Sequence, residues 1–309
     1  MNQTGEDRGP NLMRKYVWIV DTILRHDKIS FRKLSDEWSN SELGRGTNLA
    51  KRTFENWRSV ISDLFGIDIE NENRGEYRYY INKDNIREFR RDERRAWLYD
   101  IFCVSNALAN SHRIKDRVLL EYVPSGQEFL QPIIEAMKRN RVINITYQTY
   151  WRDEEYCYDV EPYCIKLYRQ RWYMVARRKE KLLTFSLDRI LDLHTTDETF
   201  VMPKNWSAEN YFKNSFGVFV DSEAKPQRVL LKVNASQANY IRDLSLHKTQ
   251  EEIEQNEEYS IFRYFLCPQY DFIQELLWNG GDVEVLEPKE LREQVAGIVK
   301  SMWKKYQEK

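Results

Sequence analysis

Basic and aromatic side chains concentrate in the middle of the chain, around two short apolar runs. Residues 171–176 and 183–190 form these runs, and a basic connection of six residues, 177–182, separates them. Two such runs are typical of paired strands. Between residues 138 and 189 there are 12 basic and 7 acidic side chains, a net charge of +5. A small β domain of this composition suits anions with flat rings, namely nucleotides or single-stranded nucleic acid.

Eight side chains in this region are candidates for contact with such an effector, since tyrosine rings stack on bases and guanidinium groups pair with phosphate. They are Tyr147, Arg152, Tyr163, Lys166, Tyr173, Arg177, Arg178 and Arg189. Packing is the competing explanation for aromatic residues, because one face of a small barrel is core. On that basis Trp172 and Phe185 are assigned to the core. Arg189 has a second interpretation, an ion pair with Asp188 or a cap on a strand end.

The same region resembles the WYL domain family in several motifs that occur in the family's order. The motifs are Ile145-Thr146-Tyr147, Val160-Glu161-Pro162-Tyr163, Trp172-Tyr173-Met174 and Asp188-Arg189-Ile190. Met174 stands where the family's naming triplet has leucine, a change that conserves volume. The resemblance implies a five-stranded SH3-like barrel of bacterial transcriptional regulators, often a ligand sensor, with nucleotides or nucleic-acid fragments as ligands.

The first 80 or so residues predict three helices and a hairpin, which together make a winged helix-turn-helix. Apolar residues recur at helical spacing in residues 12–24, 31–38 and 49–65, and two alternating runs, 67–70 and 77–81, flank an Asn/Gly turn. Positions 1 to 81 hold 13 basic and 13 acidic residues. Any contact with DNA must therefore come from a local patch.

The third predicted helix supplies such a patch. The candidate DNA contacts on this helix and on the wing are Lys51, Arg52, Thr53, Asn56, Arg58 and Arg74. Arginine reads guanine, asparagine reads adenine, and threonine meets the thymine methyl group. The Lys-Arg-Thr start resembles recognition helices of WYL regulators, but Ala50 stands where a capping serine is usual, and we expect Asn48 to replace that cap. The alternative is an ordinary solvated helix face.

The whole chain is predicted to be an α+β multidomain protein. Its segments are a disordered tail (1–11), the winged helix-turn-helix (12–82), a helical connector (83–140), a small WYL-like, SH3-like β-barrel (141–203), a linker (204–224) and a C-terminal ferredoxin-like α/β sandwich (225–309). Mixed charge at residues 87–95 indicates a solvated helix face or, alternatively, one that contacts phosphate. Ser125 and Glu128 have the spacing of a capping box.

The C-terminal segment alternates strands and helices in the order βαββαβ, with an added helix, which favours a ferredoxin-like sandwich. The predicted strands are 228–233, 246–250, 260–267 and 282–286. Five glutamates are predicted to form an exposed hairpin tip: Glu251, Glu252, Glu254, Glu257 and Glu258. Residues 280–288 resemble the extension that follows many WYL domains.

No residue pattern indicates catalysis, a metal or a cofactor. The four cysteines form no CxxC pair and the four histidines are scattered, so a zinc site is not expected. Gly44-Arg45-Gly46 lacks the spacing of a phosphate loop. The N-terminus is polar, and no apolar run reaches the ~18 residues of a membrane span. We therefore expect a cytoplasmic protein that is not an enzyme.

These features predict a ligand-responsive transcriptional regulator that binds a double-stranded operator and a nucleotide or single-stranded effector. The alternative is an RNA- or single-strand-binding accessory subunit of a defence or repair complex, in which the helix-turn-helix docks a protein. A homodimer is expected, since one winged helix buries too little surface for a selective site. Its interface is placed on an apolar stripe of the terminal helix, which could instead pack on its own sheet: Val295, Ile298, Val299, Met302 and Trp303.

Overall fold

The computed structural model describes residues 10–72, 77–109, 117, 119, 121–149 and 154–307. It divides into two compact units, Met1–Glu121 and Tyr122–Lys309. Residues 1–9 of the predicted tail, the wing residue Arg74 and the effector candidate Arg152 lie outside the described residues. The first helix already begins at Pro10, two residues earlier than the sequence pattern indicated.

Helices alternate with short strands in the first unit. The elements are α1 (Pro10–His26), β1 (Lys28–Ser30), α2 (Phe31–Asn40), α3 (Lys51–Phe65), β2 (Ile69–Asn71), β3 (Arg78–Ile81), α4 (Lys83–Arg91) and α5 (Glu93–Ala109). The strands pair antiparallel in the order β1-β3-β2. The three predicted helices and the two hairpin strands are present. Strand β1 was not predicted, because three residues are too few to show a period.

Local chemistry sets the helix ends of this unit. Ser30 caps α2, and its hydroxyl accepts from the Lys33 amide at 3.3 Å. Gly66 ends α3 in the left-handed region, at φ 68°. Ala50 occupies the cap position before α3, which has no side-chain cap, so the expectation that Asn48 replaces the cap is wrong. Apolar faces of the helices and the sheet form the core, which includes Ile19, Ile23, Phe54, Ile61 and Tyr79.

The second unit begins with a helix and a five-stranded antiparallel sheet. The elements are α6 (Leu130–Lys138), β4 (Arg141–Gln148), β5 (Glu155–Tyr168), β6 (Arg171–Arg178), β7 (Lys181–Ser186) and β8 (Ile190–Thr199), in the sheet order β7-β6-β5-β4-β8. Strand β5 pairs with β4 up to Val160 and with β6 from Glu161 onward. Its core holds Ile143, Ile145, Met174 and Phe185, which confirms that Phe185 is a packing residue.

The turn between β6 and β7 is tighter than the sequence pattern indicated. The predicted connection at 177–182 shrinks to Lys179 and Glu180, because the two strands continue to pair as far as Arg178 and Lys181. Arg177, Arg178 and Lys181 therefore project from paired strands, and only Lys179 is a basic residue of the turn.

Gly126 lies where the chain enters this sheet. The predicted capping box is absent, because the short 3-10 turn Gln127–Phe129 has no side-chain cap and Ser125 is buried. Gly126 has φ 64°, and a Cβ atom there would lie 2.2 Å from the carbonyl carbon of Leu187. The entering segment is thus pressed against the 3-10 turn Leu187–Arg189, and only glycine allows this approach.

The rest of the second unit is a bridging segment (residues 204–224) and a four-stranded sheet covered by helices. The elements are α7 (Ala208–Phe212), β9 (Gln227–Asn234), α8 (Ala235–Asp243), β10 (Glu251–Gln255), β11 (Tyr259–Leu266), α9 (Tyr270–Trp278), β12 (Val283–Glu287) and α10 (Lys289–Gln307). The sheet order is β10-β11-β9-β12, and all neighbours are antiparallel.

The second strand of this sheet was predicted in the wrong place. Residues 246–250 form no strand, and the acidic run predicted to be a hairpin tip is itself strand β10, with only Glu257 and Glu258 at the tip. An edge strand needs few apolar residues, because charged side chains protect its open edge. Its sequence therefore lacks the alternation that reveals a central strand.

The apolar stripe of α10 divides along its length. Val295 and Ile298 pack partly against the core of the sheet. Val299, Met302 and Trp303 are 51%, 49% and 60% exposed. The first turns of α10 thus pack against the protein's own sheet, and the later turns present apolar side chains to solvent.

Candidate nucleic-acid interface and effector site

Lys51 begins α3, but its side chain is held within the first unit. Its ammonium donates to the Tyr79 hydroxyl, lies 4.6 Å from the centroid of the Phe31 ring, and is 3.3 Å from a carboxylate oxygen of Glu55. The sequence showed a lysine at the start of a recognition helix and could not show these partners. In this structure Lys51 stabilises the contact between α3 and the hairpin.

Arg58 is also held by internal contacts. Its Nε donates to the carbonyl oxygen of Ile69 at 3.1 Å, its Nη2 donates to the same oxygen, and its Nη1 donates to Glu55 at 2.6 Å. Burial alone would raise the pKa of Glu55, but hydrogen bonds from Arg58, Tyr79 and Lys51 outweigh it and lower that pKa. Arg58 therefore ties α3 to strand β2 and is not available as a base reader.

Arg52 and Asn56 remain as the outward-facing candidates on α3. Both are exposed, and neither has a hydrogen bond or ion pair among the residues that the structure describes. They are four residues apart, so they lie on one helix face. Thr53 is half-buried beside them. The local patch is thus narrower than the sequence predicted.

Carboxylates lie on the other flank of α3. The cleft between α3 and β2 is lined by Glu55, Arg58, Ser59, Ser62, Asp63, Asp68, Ile69, Glu70 and Asn71. Four of these are acidic and one is basic, and the basic one is already paired. The carboxylates of this cleft disfavour phosphate, whereas Arg52 adds a positive charge that is not paired among the described residues.

Two of the tyrosines predicted to bind an effector are buried in the second unit. Tyr147 is 6% exposed, lies edge-on to Phe185, and its hydroxyl accepts from the Ser186 amide at 3.2 Å. Tyr163 is 5% exposed and packs against Phe200 in a separate small cluster. A ring in either position cannot stack on a base. Both are packing residues in this structure.

Arg177 and Arg178 follow each other on β6 and have different surroundings. Arg177 donates to both carboxylate oxygens of Glu161, at 2.6 and 2.8 Å, across the β5–β6 ladder. Arg178 has no ion pair among the described residues, and its guanidinium lies 4.2 Å from the centroid of the Tyr158 ring. Of these two arginines, Arg178 is therefore the one whose guanidinium is available to bind an anion.

Two tyrosines that the sequence analysis did not make candidates extend the candidate surface. The rings of Tyr156 and Tyr158 are parallel within 3°, with centroids 5.9 Å apart, and both are half-buried. They occupy alternate positions of β5, so they share one face. That alternation was visible in the sequence, but only the cation over the second ring distinguishes them from packing residues. Together with Arg178 they form the aromatic surface (Tyr156, Tyr158, Arg178).

A polar network organises the turn that carries Asp188 and Arg189. Asp188 has a nearly buried side chain that accepts from the Ser186 hydroxyl and lies 3.4 Å from Arg171. The suggested ion pair between Asp188 and Arg189 is not the arrangement found. Arg189 instead donates to the carbonyl oxygen of Gln148 at 3.0 Å and is half-buried.

Lys166 and Tyr173 lie at the other end of the β5–β6 ladder, where they are paired neighbours. Tyr173 is half-buried, and burial raises the pKa of its hydroxyl. The ammonium of Lys166 donates to the carbonyl oxygen of Gly217 at 2.5 Å, in the bridging segment. These two candidates thus face the C-terminal domain rather than the aromatic surface.

Two kinds of site are absent from the part of the chain that the structure describes. No group of histidine, cysteine or acidic side chains there could hold a metal ion. None of the helices searched has the length and apolar character that a membrane crossing requires.

Comparisons with known proteins identify two regions of the chain. Residues 128–195 match the model of the WYL domain, and residues 225–303 match that of the WCX domain. No curated protein matches the sequence.

Similar solved structures include the proteasome accessory factor B/C (PafBC) of Arthrobacter aurescens, with a TM-score of 0.37 and 18% identity over 93% of this chain and 46% of that one. This chain thus spans less than half the length of that protein. Another is a CRISPR Cas-related protein, with a TM-score of 0.38 and 13% identity over 96% of this chain and 85% of that one.

The internal role of Arg58 can be separated from any role in binding. Arg58→Ala should lower the free energy of unfolding of the first unit by about 1–3 kcal/mol, because hydrogen bonds from a charged donor to Ile69 and Glu55 are lost. Arg52→Ala should change it by less than about 0.5 kcal/mol, since Arg52 is exposed. Urea unfolding of the full-length variants measures both. Equal stability of Arg58→Ala and wild type would show that the tie is not formed.

Proposed function

We propose that this chain, a WYL-domain protein whose C-terminal part is a WCX domain, is a cytoplasmic, ligand-responsive transcriptional regulator. The first unit binds operator DNA, and the WYL domain senses a nucleotide or a nucleic-acid fragment. The observation that carries this proposal is the WYL match at residues 128–195, where Arg178 of β6 lies over the Tyr158 ring of the neighbouring strand β5, next to Tyr156. A basic, aromatic face of this kind suits single-stranded nucleic acid.

The proposed fold names rest on strand order. We infer a winged helix-turn-helix from three helices and a hairpin with sheet order β1-β3-β2. The five antiparallel strands that carry the aromatic surface support an SH3-like barrel, and the order β10-β11-β9-β12 supports a ferredoxin-like sandwich. In a winged helix-turn-helix, α3 would enter the major groove.

A narrow basic patch limits how the first unit would read DNA. Arg52 and Asn56 are suited to guanine and adenine respectively, and their spacing puts them over neighbouring base pairs. Lys51 and Arg58 would act indirectly, because they hold α3 against the hairpin. Specificity would then depend on few side chains, which is a reason for two half-sites and a dimer.

The exposed turns of α10 are the surface we propose for the dimer. Val299, Met302 and Trp303 lie within one face of the helix and are about half exposed. Apolar side chains at helical spacing that are not covered by their own domain are typical of a partner surface. Pairing there would hold two copies of the first unit together for a two-part operator.

The second candidate function is an accessory subunit that binds RNA or single strands in a defence or repair complex. The acidic cleft beside α3 favours it, because carboxylates at this position disfavour DNA and suit a basic protein partner. Selection of duplex DNA from a random library by the wild-type protein separates the two functions. Recovery of a defined sequence supports the regulator, and recovery of none supports the accessory subunit.

The exposed face of α3 gives the first binding prediction. Arg52→Ala should weaken binding to the selected duplex by ~1–3 kcal/mol and relax the preference for one base, as loss of a bidentate base contact does. The control is Arg87→Ala, which removes an exposed arginine that only pairs with Asp84 in the same unit. Gel shifts at one fixed salt concentration measure the difference. If both variants bind like wild type, α3 does not read the duplex through Arg52.

The aromatic surface gives the second binding prediction. Arg178→Gln should weaken binding of a short 5′-phosphorylated single strand by about tenfold or more, because a charge-assisted contact is lost while the side-chain stem is kept. Arg141→Gln is the matched control. Arg141 lies on the same sheet, and its guanidinium donates to the carbonyl oxygen of Asp197. Calorimetry with the oligonucleotide and with cyclic nucleotides measures the affinity. Unchanged affinity in Arg178→Gln would remove the aromatic surface from the proposal.

The exposed turns of α10 give the third prediction, which concerns the dimer. Trp303→Glu should raise the dimer dissociation constant by roughly tenfold or more, since a buried aromatic anchor is a frequent hot spot. Trp278→Glu is its control, because Trp278 is an exposed tryptophan, at 84%, on α9 of the same domain. Light scattering over a concentration series reports the mass. A wild-type protein that stays monomeric, or equal behaviour of the two variants, contradicts this interface.

A further inference from the structure

The bridging segment is fastened to the C-terminal domain by main-chain groups. The carbonyl oxygen of Asn214 accepts from the Cys267 amide at 2.7 Å. One carboxylate oxygen of Asp271 accepts from two consecutive amides, those of Val218 and Phe219, at 2.7 and 2.8 Å. Hydrogen bonds to a charged acceptor are about twice as strong as neutral ones. This side of the segment is therefore held firmly at the start of α9.

Gly217 allows the segment to lie directly against α9. Its φ is 78°, and a Cβ atom at this position would lie 2.3 Å from a carboxylate oxygen of Asp271. No other residue could hold this backbone position without displacing Asp271. The Gly217 carbonyl consequently points away from α9, toward the five-stranded sheet.

Among the residues that the structure describes, side chains of the five-stranded sheet make its hydrogen bonds to this stretch. The Lys166 ammonium donates to the Gly217 carbonyl and lies 4.0 Å from the centroid of the Phe212 ring. The Thr184 hydroxyl donates to the Val218 carbonyl at 3.4 Å, which is long for such a bond. The hydrogen bond from Lys166 is thus the shorter of the two that join the bridging segment to the five-stranded sheet.

The Gly217 carbonyl oxygen is a weaker acceptor for the Lys166 ammonium than a phosphate oxygen would be. A carbonyl oxygen is neutral, whereas a phosphate oxygen is charged and forms a stronger bond with ammonium. Burial lowers the pKa of Lys166, and the Asp271 carboxylate opposes that shift. A cation in this setting gains from an anion that replaces the carbonyl, and Tyr173 lies beside it on the paired strand.

We propose that Lys166 is a releasable contact: an anionic effector bound beside Tyr173 on the five-stranded sheet draws its ammonium away from Gly217, and the bridging segment then opens more often at Gly217, Val218 and Phe219. This deepens the effector-sensing function proposed above and rests on it. Occupancy of the sheet would thereby change the freedom of the C-terminal domain, a two-state element of the kind that couples distant sites.

Hydrogen exchange of the full-length protein tests this contact. In Lys166→Met, which keeps the apolar stem, exchange at the amides of Val218 and Phe219 should rise about tenfold or more without any ligand, because local opening no longer breaks a charged hydrogen bond. Lys166→Arg, which can still donate to the carbonyl, should stay close to wild type. Lys181→Met removes an exposed lysine of the same sheet and is the control for loss of charge.

The effector arm uses a 5′-phosphorylated hexathymidylate as the probe, with its binding measured separately by fluorescence anisotropy. Adding it to wild type should raise exchange at the same two amides, and adding it to Lys166→Met should give no further rise. Exchange in Lys166→Met equal to wild type overturns the contact. A probe that binds wild type without raising exchange overturns release by the effector. A probe that does not bind at all counts against the proposed effector, and the Lys166→Met measurement still tests the contact.

Discussion

Strand β5 changes its hydrogen-bonding partner between Val160 and Glu161, and this step determines where the charged side chains of the sheet lie. Pro162, which has no amide hydrogen to donate, follows this step at the point where the β5–β6 register shifts, between Pro162 and Cys164. The second half of the strand then carries Glu161 to Arg177 at one end and Lys166 to the bridging segment at the other. One continuous strand thus connects the aromatic surface with the C-terminal domain.

Several of the candidate cations that the structure describes are held by partners within the fold itself. Lys51 and Arg58 stabilise the first unit, and Arg177 is paired with a carboxylate. With 48 basic and 49 acidic residues the chain has a net charge of −1, so the local charge depends on which cations the fold leaves unpaired. Binding of a polyanion to such a surface would depend on position and shape more than on the overall field.

Periodicity predicted the helices and the central strands, because it reports which side of an element is buried. It could not predict the partners of long side chains. Arg58 and Ile69 are 11 residues apart, Arg177 and Glu161 are 16, and Lys51 and Tyr79 are 28. Such contacts depend on how the elements pack against each other, and the periodicity of a single sequence does not report that packing. The edge strand β10 was missed for the opposite reason, since it buries too little to leave a pattern.

The two amides bound by Asp271 are consecutive, and the glycine before them has no room for a side chain. These three positions must therefore keep their register with α9 as the sequence drifts. An insertion or deletion between Asn214 and Phe219 would place the wrong amides opposite the carboxylate, whereas a change of length after residue 221 would not. Among relatives that share this arrangement, alignment gaps should gather on the later side of the segment.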